Sequence, residues 1–287
     1  MPARRMRVDD IGFAVSLICR EGWGHTRVDL LRLLSLSPSG SFVWETDGRP
    51  CGFVTSVRHR RTAMIGHVLV SSDSRGRQIG KSMMSALLSD IDSAGMESTM
   101  LYATTDGAKL YEQFGFVNSG HELVAVGVFV KDSERSQMEP ACDMVQRDDI
   151  EALSSMDART FGDDRSPLIA RLHDEFPEHC FKLVRQGEIV GFAFGRRTPV
   201  GFDIGPWICM SGQRGDATAL LDSVIHSFPG GGRTDISPFA ANRHFARIVG
   251  RYHPYRKAER VHLMVRGEQR YTTQVDKVFG VAGFELG

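Results

Sequence analysis

Apolar residues gather in short runs near 42–46, 51–57, 63–70 and 99–104, and between the last two runs Ile79, Met83, Leu87 and Ile91 recur at every fourth position. Runs of that length bounded by Gly, Ser and Asp predict strands, whereas a spacing of four keeps one apolar stripe on a helix, so this part of the chain reads as an α/β pattern. A further apolar run ends at Val130, after which Lys131 to Pro140 is polar and has no periodic face. That stretch predicts a linker.

Shifted against itself by 139 residues, the chain superposes without a gap: Phe42, Gly48, Gly52, Phe53, Arg58, Ile65, Gly66, Ser72, Arg75 and Gly76 fall on Phe181, Gly187, Gly191, Phe192, Arg197, Ile204, Gly205, Ser211, Arg214 and Gly215. Two copies of one fold are expected, over 1–131 and 141–287, joined by 132–140. Each copy runs strand, turn (Asp47-Gly48 or Gln186-Gly187), strand, then a third strand through Ile65-Gly66 or Ile204-Gly205, and a loop carrying Arg-Gly. Glycines at matched offsets predict positive φ at the turn and a position without room for a side chain at Gly66 and Gly205.

A length of 287 residues suits two domains of ordinary size. The 35 Lys plus Arg balance 35 Asp plus Glu, which argues against a nucleic-acid binder, and Arg58-His59-Arg60-Arg61 is too short a basic stretch to change that. Cys19, Cys51, Cys142, Cys180 and Cys209 are scattered and form no C-x-x-C pair, so neither structural zinc nor a disulfide framework is expected and the cysteines read as small buried hydrophobes or bystanders. No long apolar segment predicts a signal peptide or a membrane span, and the expected location is the cytoplasm.

Chemistry concentrates after the strand Ile65-Gly66-His67-Val68-Leu69-Val70. Ser71-Ser72-Asp73-Ser74 leads into Arg75-Gly76-Arg77-Gln78-Ile79-Gly80-Lys81, where the amphipathic helix opens. Free amides and the positive end of a helix dipole favour an anion such as a phosphate, and Arg75, Arg77 and Lys81 add charge; a plain strand-to-helix turn with a solvated basic cluster is the alternative.

On these residues the chain resembles the GNAT acetyltransferase superfamily, whose loop reads Arg/Gln-x-x-Gly-x-Gly/Ala after its fourth strand. Val68-Leu69-Val70, Arg75 and Gly80 match, and Gln78 stands where the first Gly is expected. Leu110-Tyr111-Glu112-Gln113-Phe114-Gly115-Phe116 matches the superfamily's later signature. Gly22-Trp23, Ile65-Gly66, Ala103-Thr104 with Gly107, Phe161-Gly162-Asp163-Asp164-Arg165, Ile204-Gly205-Pro206 and Ala282-Gly283-Phe284-Glu285 resemble a tandem group within it, in which an Asp commonly replaces Tyr102. The resemblance implies two tandem GNAT-like folds of class α/β (α+β), each a mixed, mostly antiparallel sheet flanked by helices. It also implies acetyl transfer from acetyl-CoA to an amine in a ternary complex. Backbone around Val68, Leu69 and Val70, freed by a strand bulge, would hold the thioester. The loop Arg75, Gly76, Arg77, Gln78, Ile79, Gly80 and Lys81 would hold the pyrophosphate, and Tyr111 would protonate the leaving thiolate.

The base stays open between His67, His25 and an ordered water. Trp23 is either a wall of the acceptor pocket or a core anchor, and Glu21 and Asp29 are either attractors of a cationic amine or solvated helix residues. The second copy departs where chemistry is expected: Asp216 and Leu220 replace Arg77 and Lys81, and Ala246 stands where the first copy has Tyr111. It is expected to lack its own catalysis and to complete the acceptor site, brace the first copy or form a homodimer. Asp164-Arg165 and the stretch His244 to His253 read as exposed or cleft-facing, without metal-binding spacing. The acceptor is expected to be a small-molecule amine. The alternatives are peptide or protein N-acetylation, which needs an open groove, and a non-catalytic acyl-CoA sensor, against which Tyr111 argues.

Overall fold

The computed structural model describes residues 3–137, 140–268 and 274–287. Its chain forms two compact units. The first comprises Met1–Ser119 with Leu263–Gln269 and Phe284–Leu286; the second comprises Gly120–His262 with Arg270–Gly283 and Gly287. The division therefore differs from the sequence expectation of a break at 131. Within residues 132–140, Asp132–Arg135 is a helical turn, and Arg135 donates to the carbonyl of His226 at 3.2 Å within the second unit. Met138 and Glu139 of the expected linker lie outside the described residues.

In the first unit the strands are β1 (Ala3–Arg5), β2 (Phe42–Thr46), β3 (Arg49–Arg58), β4 (Thr62–Val70) and β5 (Ser98–Ala103). They pair in that order, antiparallel except for the parallel pair β4–β5. The helices are α1 (Ile11–Arg20), α2 (Arg27–Leu36), α3 (Ile79–Ser93) and α4 (Thr105–Glu112). Alternation along β3 divides the core: Phe53 meets Phe13 of α1 edge-on at 6.4 Å, while its neighbour Val54 belongs to the apolar cluster that buries Ile79, Met83, Leu87 and Ile91 of α3. Met264 joins that cluster, and the amide of Glu268 donates to the Glu97 carbonyl at 3.1 Å, so the sheet is continued by residues far along the chain.

The second unit takes β6 (Val117–Val130) from Gly120 onward, a short α5 (Asp132–Arg135), β7 (Asp143–Met144), α6 (Ile150–Phe161), α7 (Ser166–Glu175), β8 (Cys180–Arg185), β9 (Glu188–Thr198), β10 (Gly201–Cys209), α8 (Arg214–Ser227), β11 (Gly232–Ile236), α9 (Phe245–Val249), β12 (His253–Gly267) up to His262, and β13 (Val278–Gly280). Here too β8, β9 and β10 pair antiparallel and β10–β11 is parallel. Both units thus carry the expected mixed, mostly antiparallel sheet flanked by helices.

The 139-residue repeat is visible in detail. Asp47 and Gly48 have φ of 52° and 72°, and Gln186 and Gly187 have 52° and 84°, the paired positive values of a hairpin turn that matches strand twist. Val54↔Val68 and Ser56↔Ile65 are partners, so Gly66 and His67 both face the single residue Thr55. Trp207↔Ala193 and Ile204↔Gly195 leave Gly205 and Pro206 facing Phe194 in the same way. The duplicated bulge lies at the Ile-Gly positions, just before Val68 rather than within Val68–Val70.

Candidate active site

Beyond the bulge the two neighbours of β4 behave differently. Pairing with β3 continues through Phe53↔Leu69 and Gly52↔Val70. The parallel ladder with β5 runs from Thr62↔Ser98 and stops at Ile65↔Leu101. Residues 66–70 therefore continue past the end of that ladder, and the gap in pairing between β4 and β5 forms a wedge, at which Glu285 packs on Gly66 and Phe284 on Tyr102.

The wedge leads into the basic loop. Gly76 has φ of 79° and Gln78, the residue before α3, has φ of 61°. The backbone at Gln78 is therefore left-handed, where a glycine is most at ease and another residue is strained by about 1–2 kcal/mol. Gly80 is instead in the helix's first turn, and a Cβ built there would meet only Val70 Cγ2, at 4.0 Å. Nothing in the protein's own packing demands a bare backbone at Gly80, so the position suits the close approach of an outside group. Arg75 is exposed, donates from Nε to the Val70 carbonyl at 3.1 Å and pairs with Glu21 at the end of α1. Arg77 and Lys81 are exposed. An anion arriving here meets the start of α3, two flexible cations and one guanidinium already anchored to β4.

Across the wedge, β5 feeds α4. Thr104 caps it by accepting from the Gly107 amide at 3.2 Å, which gives the Ala-Thr-x-x-Gly pattern a structural role. Tyr111 packs edge-on against Phe116 at 6.1 Å on the α3 core cluster, and burial pushes its phenol up to about 12. It therefore keeps its proton throughout the neutral range. Tyr102 lies on β5 just past Leu101 with its ring 5.6 Å from that of Phe284.

The candidates left open by sequence come together. His67 is buried, its Nδ1 and amide lying 3.0 and 3.1 Å from Thr55 Oγ1. Phe53, Trp23 and His25 surround it, with ring centroids at 5.7, 5.9 and 4.6 Å. Trp23 is 45% exposed, with its ring beside that of His67, so it is not a core anchor. His25 Nε2 lies 3.2 Å from Oε2 of buried Glu285. Glu285 also explains the glycine at 66, where an added Cβ would come within 2.6 Å of the glutamate's Cβ. Asp29 accepts from the Thr26 amide at 2.7 Å and pairs with buried Arg32 at 2.8 Å, holding the start of α2 immediately after His25. Sequence reasoning missed Glu285 as a site residue; its only signal was membership of the terminal Ala-Gly-Phe-Glu pattern.

Burial, with help from neighbouring His25, pushes His67 down to about 3, so it is neutral and unsuited to collecting protons near pH 7. The sign of its effect on stability follows. Between the unfolded value of about 6.5 and the folded one, the unfolded chain binds the extra proton, so stability is intact above about pH 6.5 and falls as pH drops. Unfolding free energies from urea titrations at pH 7 and pH 5 are expected to differ by about 2 kcal/mol less in His67→Gln than in the parent.

The equivalent wedge in the second unit is closed. The β10–β11 ladder ends at Ile204↔Ile236, and β13 then pairs with β10 at Trp207↔Gly280 and Ile208↔Val278. Trp207, which corresponds to Val68, is fully buried with its ring 5.0 Å from that of Phe279. Helix α8 begins at Arg214, so the residues matching the loop 75–78 are helical. Asp216 in its first turn is buried and accepts from Arg185 at 2.6 and 3.1 Å, a carboxylate where an anionic ligand would sit. Leu220, opposite Lys81, is core.

Other sequence expectations resolve more simply. Cys51, Cys180 and Cys209 are buried, while Cys19 is exposed. Arg165, read as surface or cleft-facing, is buried against Asp157. His253 is exposed and lies 3.0 Å from Glu134. Among the described residues no His, Cys, Asp and Glu cluster suits a metal ion, and no helix is long and apolar enough to cross a membrane.

Comparison with known proteins covers both units. The profile of the Acetyltransferase (GNAT) family matches residues 12–116, and that of an Acetyltransferase (GNAT) domain matches residues 153–280. An uncharacterized N-acetyltransferase of Bacillus subtilis strain 168, YitH, is 25% identical over 195 residues, 67% of each chain. Among solved structures, a putative acetyltransferase from Pyrococcus horikoshii aligns with a TM-score of 0.76 at 19% identity, over 99% of this chain and 95% of that one. A GCN5-related N-acetyltransferase from Sphaerobacter thermophilus aligns at 0.67 and 18% identity, over 94% and 98%. These two likenesses concern the fold.

Proposed function

Since the chain belongs to the GNAT acetyltransferase family, we propose that its first unit transfers an acetyl group from acetyl-CoA to the primary amine of a small molecule by direct attack in a ternary complex. The second unit carries the same fold without chemistry of its own. The observation that supports this reading best is the contrast between two copies of one wedge: among the described residues no strand takes up the pairing of β4 past Ile65↔Leu101, beside a glycine-bearing basic loop, whereas in the second copy β13 pairs there and Trp207 is core.

Bound acetyl-CoA supplies an acyl carbon activated by a thiol leaving group. The start of α3, with Gly76 and Gly80 bare and Arg75, Arg77 and Lys81 charged, holds the pyrophosphate. Arg75 exchanges Glu21 for a phosphate oxygen. Backbone groups of Val68, Leu69 and Val70 on the side past the β5 ladder orient the thioester and polarise its carbonyl. Trp23 and His25 border the acceptor's entry, and Tyr111, protonated at working pH, supplies the proton that the departing thiolate needs.

Calorimetric titration with acetyl-CoA tests this directly. One site per chain is the expected stoichiometry; two sites would mean that β13 leaves its wedge. In Gly80→Ala the fold tolerates the methyl group, so the melting temperature should hold or rise, while affinity for acetyl-CoA drops about tenfold or more. Unchanged affinity would remove Gly80 from the cradle.

A further inference from the structure

In the proposed complex the pyrophosphate lies at residues 75–81, beyond the end of β4, and the thioester at Val68 to Val70. The acyl group is the far end of the cofactor, so it points back along β4 toward Gly66 and the last pair of the β4–β5 ladder, Ile65↔Leu101. Two aromatic residues from distant parts of the chain meet at that point. Tyr102 is the first residue of β5 past Leu101. Because Leu101 belongs to the cluster beneath α3, alternation puts Tyr102 on the opposite face of the sheet, where Thr55 and buried His67 lie. Its ring is 5.6 Å from that of Phe284 and inclined to it by 52°. The next residue of the tail, Glu285, covers Gly66, where an added Cβ would come within 2.6 Å of the Glu285 Cβ and 2.8 Å of Thr55 Oγ1. Glu285 and Leu286 are both buried in the first unit, which holds Phe284 in place from its C-terminal side.

We propose, resting on the acetyl-CoA reading above, that Tyr102 and Phe284 determine the length of the acyl group. Their rings, with Glu285 over Gly66, form the end wall of the acyl site and restrict the donor to the two-carbon acetyl group. Beyond its carbonyl an alkyl acyl chain offers nothing to hydrogen-bond, so a site can select a short chain only by excluded volume. Each methylene pushed against a packed wall forces side chains off their rotamers or shifts backbone. In a well-packed apolar site one methylene changes recognition by about 10–200-fold. The wall has two halves of different origin: Tyr102 is fixed by the strand that carries it, and Phe284 by the buried residues that follow it. Loss of either ring therefore opens the same space from a different side. The ring of Tyr102 does this work, and its hydroxyl is not required.

Calorimetric titration of the full chain with CoA, acetyl-CoA, propionyl-CoA and butyryl-CoA tests the wall without need of an acceptor. The parent is expected to bind butyryl-CoA about tenfold or more weakly than acetyl-CoA, with propionyl-CoA between them. Phe284→Ala should bring the acetyl and butyryl affinities within about threefold of each other, chiefly by tightening butyryl-CoA. Tyr102→Leu, which opens the wall from the strand and leaves the tail intact, should narrow the gap in the same direction, and Tyr102→Phe should preserve it. Affinity for CoA, which has no acyl group, should stay within about twofold of the parent in all three variants. If Phe284→Ala loses CoA binding as well, the tail has not folded onto β5, and Tyr102→Leu decides. Equal affinities for acetyl-CoA and butyryl-CoA in the parent, or a gap that persists when the ring is removed, overturn the wall and leave the acetyltransferase reading intact. A gap that closes in Tyr102→Phe also overturns it, since the hydroxyl then discriminates. A parent that binds neither CoA nor acetyl-CoA overturns that reading and the wall together.

Discussion

Replacing Tyr111 by Phe is expected to lower turnover by about 10²–10⁴-fold while the affinity for acetyl-CoA stays within a factor of two. The substitution removes one oxygen and keeps the ring that packs on Phe116, so the core beneath α4 is retained. What disappears is the phenolic proton assigned above to the leaving thiolate. Because burial pushes the phenol up to about 12, deprotonation of Tyr111 cannot account for any loss of rate below about pH 10, and an alkaline limb in the neutral range belongs to another group. Stopped-flow and steady-state thiol release, with calorimetry on the same preparation, separate chemistry from binding. Equal turnover in Tyr111→Phe would leave the leaving thiolate to be protonated by water.

The largest expected loss of stability lies in the second unit. Arg165 and Asp157 are both buried and joined by two hydrogen bonds of 2.9 and 2.7 Å, with the guanidinium 3.8 Å above the ring of Phe161. Changing Asp157 to Asn leaves the shape but takes the charged partner of two hydrogen bonds from a buried cation, and a loss of about 3–5 kcal/mol is expected. Replacing both partners by apolar residues, Asp157→Leu with Arg165→Met, should recover much of that loss, because no charge then remains to be desolvated. Urea unfolding followed through the emission of buried Trp207 reports on this unit. A double variant as unstable as Asp157→Asn would show that the pair matters through its hydrogen-bond geometry and not through charge.

What the sequence made legible was local. Glycines at matched offsets revealed the duplicated hairpin turns and, at Gly66 and Gly205, two positions without room for a side chain, because positive φ and close approach leave few other residues possible. The stripe Ile79, Met83, Leu87 and Ile91 announced α3, and Arg75 to Lys81 its approach. The parts that could not be read depend on distant pairing. Nothing near Val278 says that it will fill a wedge opened by Ile204, and nothing near Glu285 says that it will reach His25. Arg165 read as surface because its partner lies eight residues back on α6, outside any turn or cap pattern. Gln78 read as a defect in the loop, yet its backbone holds the left-handed conformation that the usual glycine would adopt.

The exchange of segments between the units has a bearing on synthesis. The ribosome releases Ser119 long before Leu263, so the first unit waits, with the outer side of β5 uncovered, while most of the second unit is made. Until residues 263–269 arrive that edge is a place where another nascent chain can pair. A fragment ending at the polar stretch near 131 accordingly lacks the segment that covers β5 and is expected to associate.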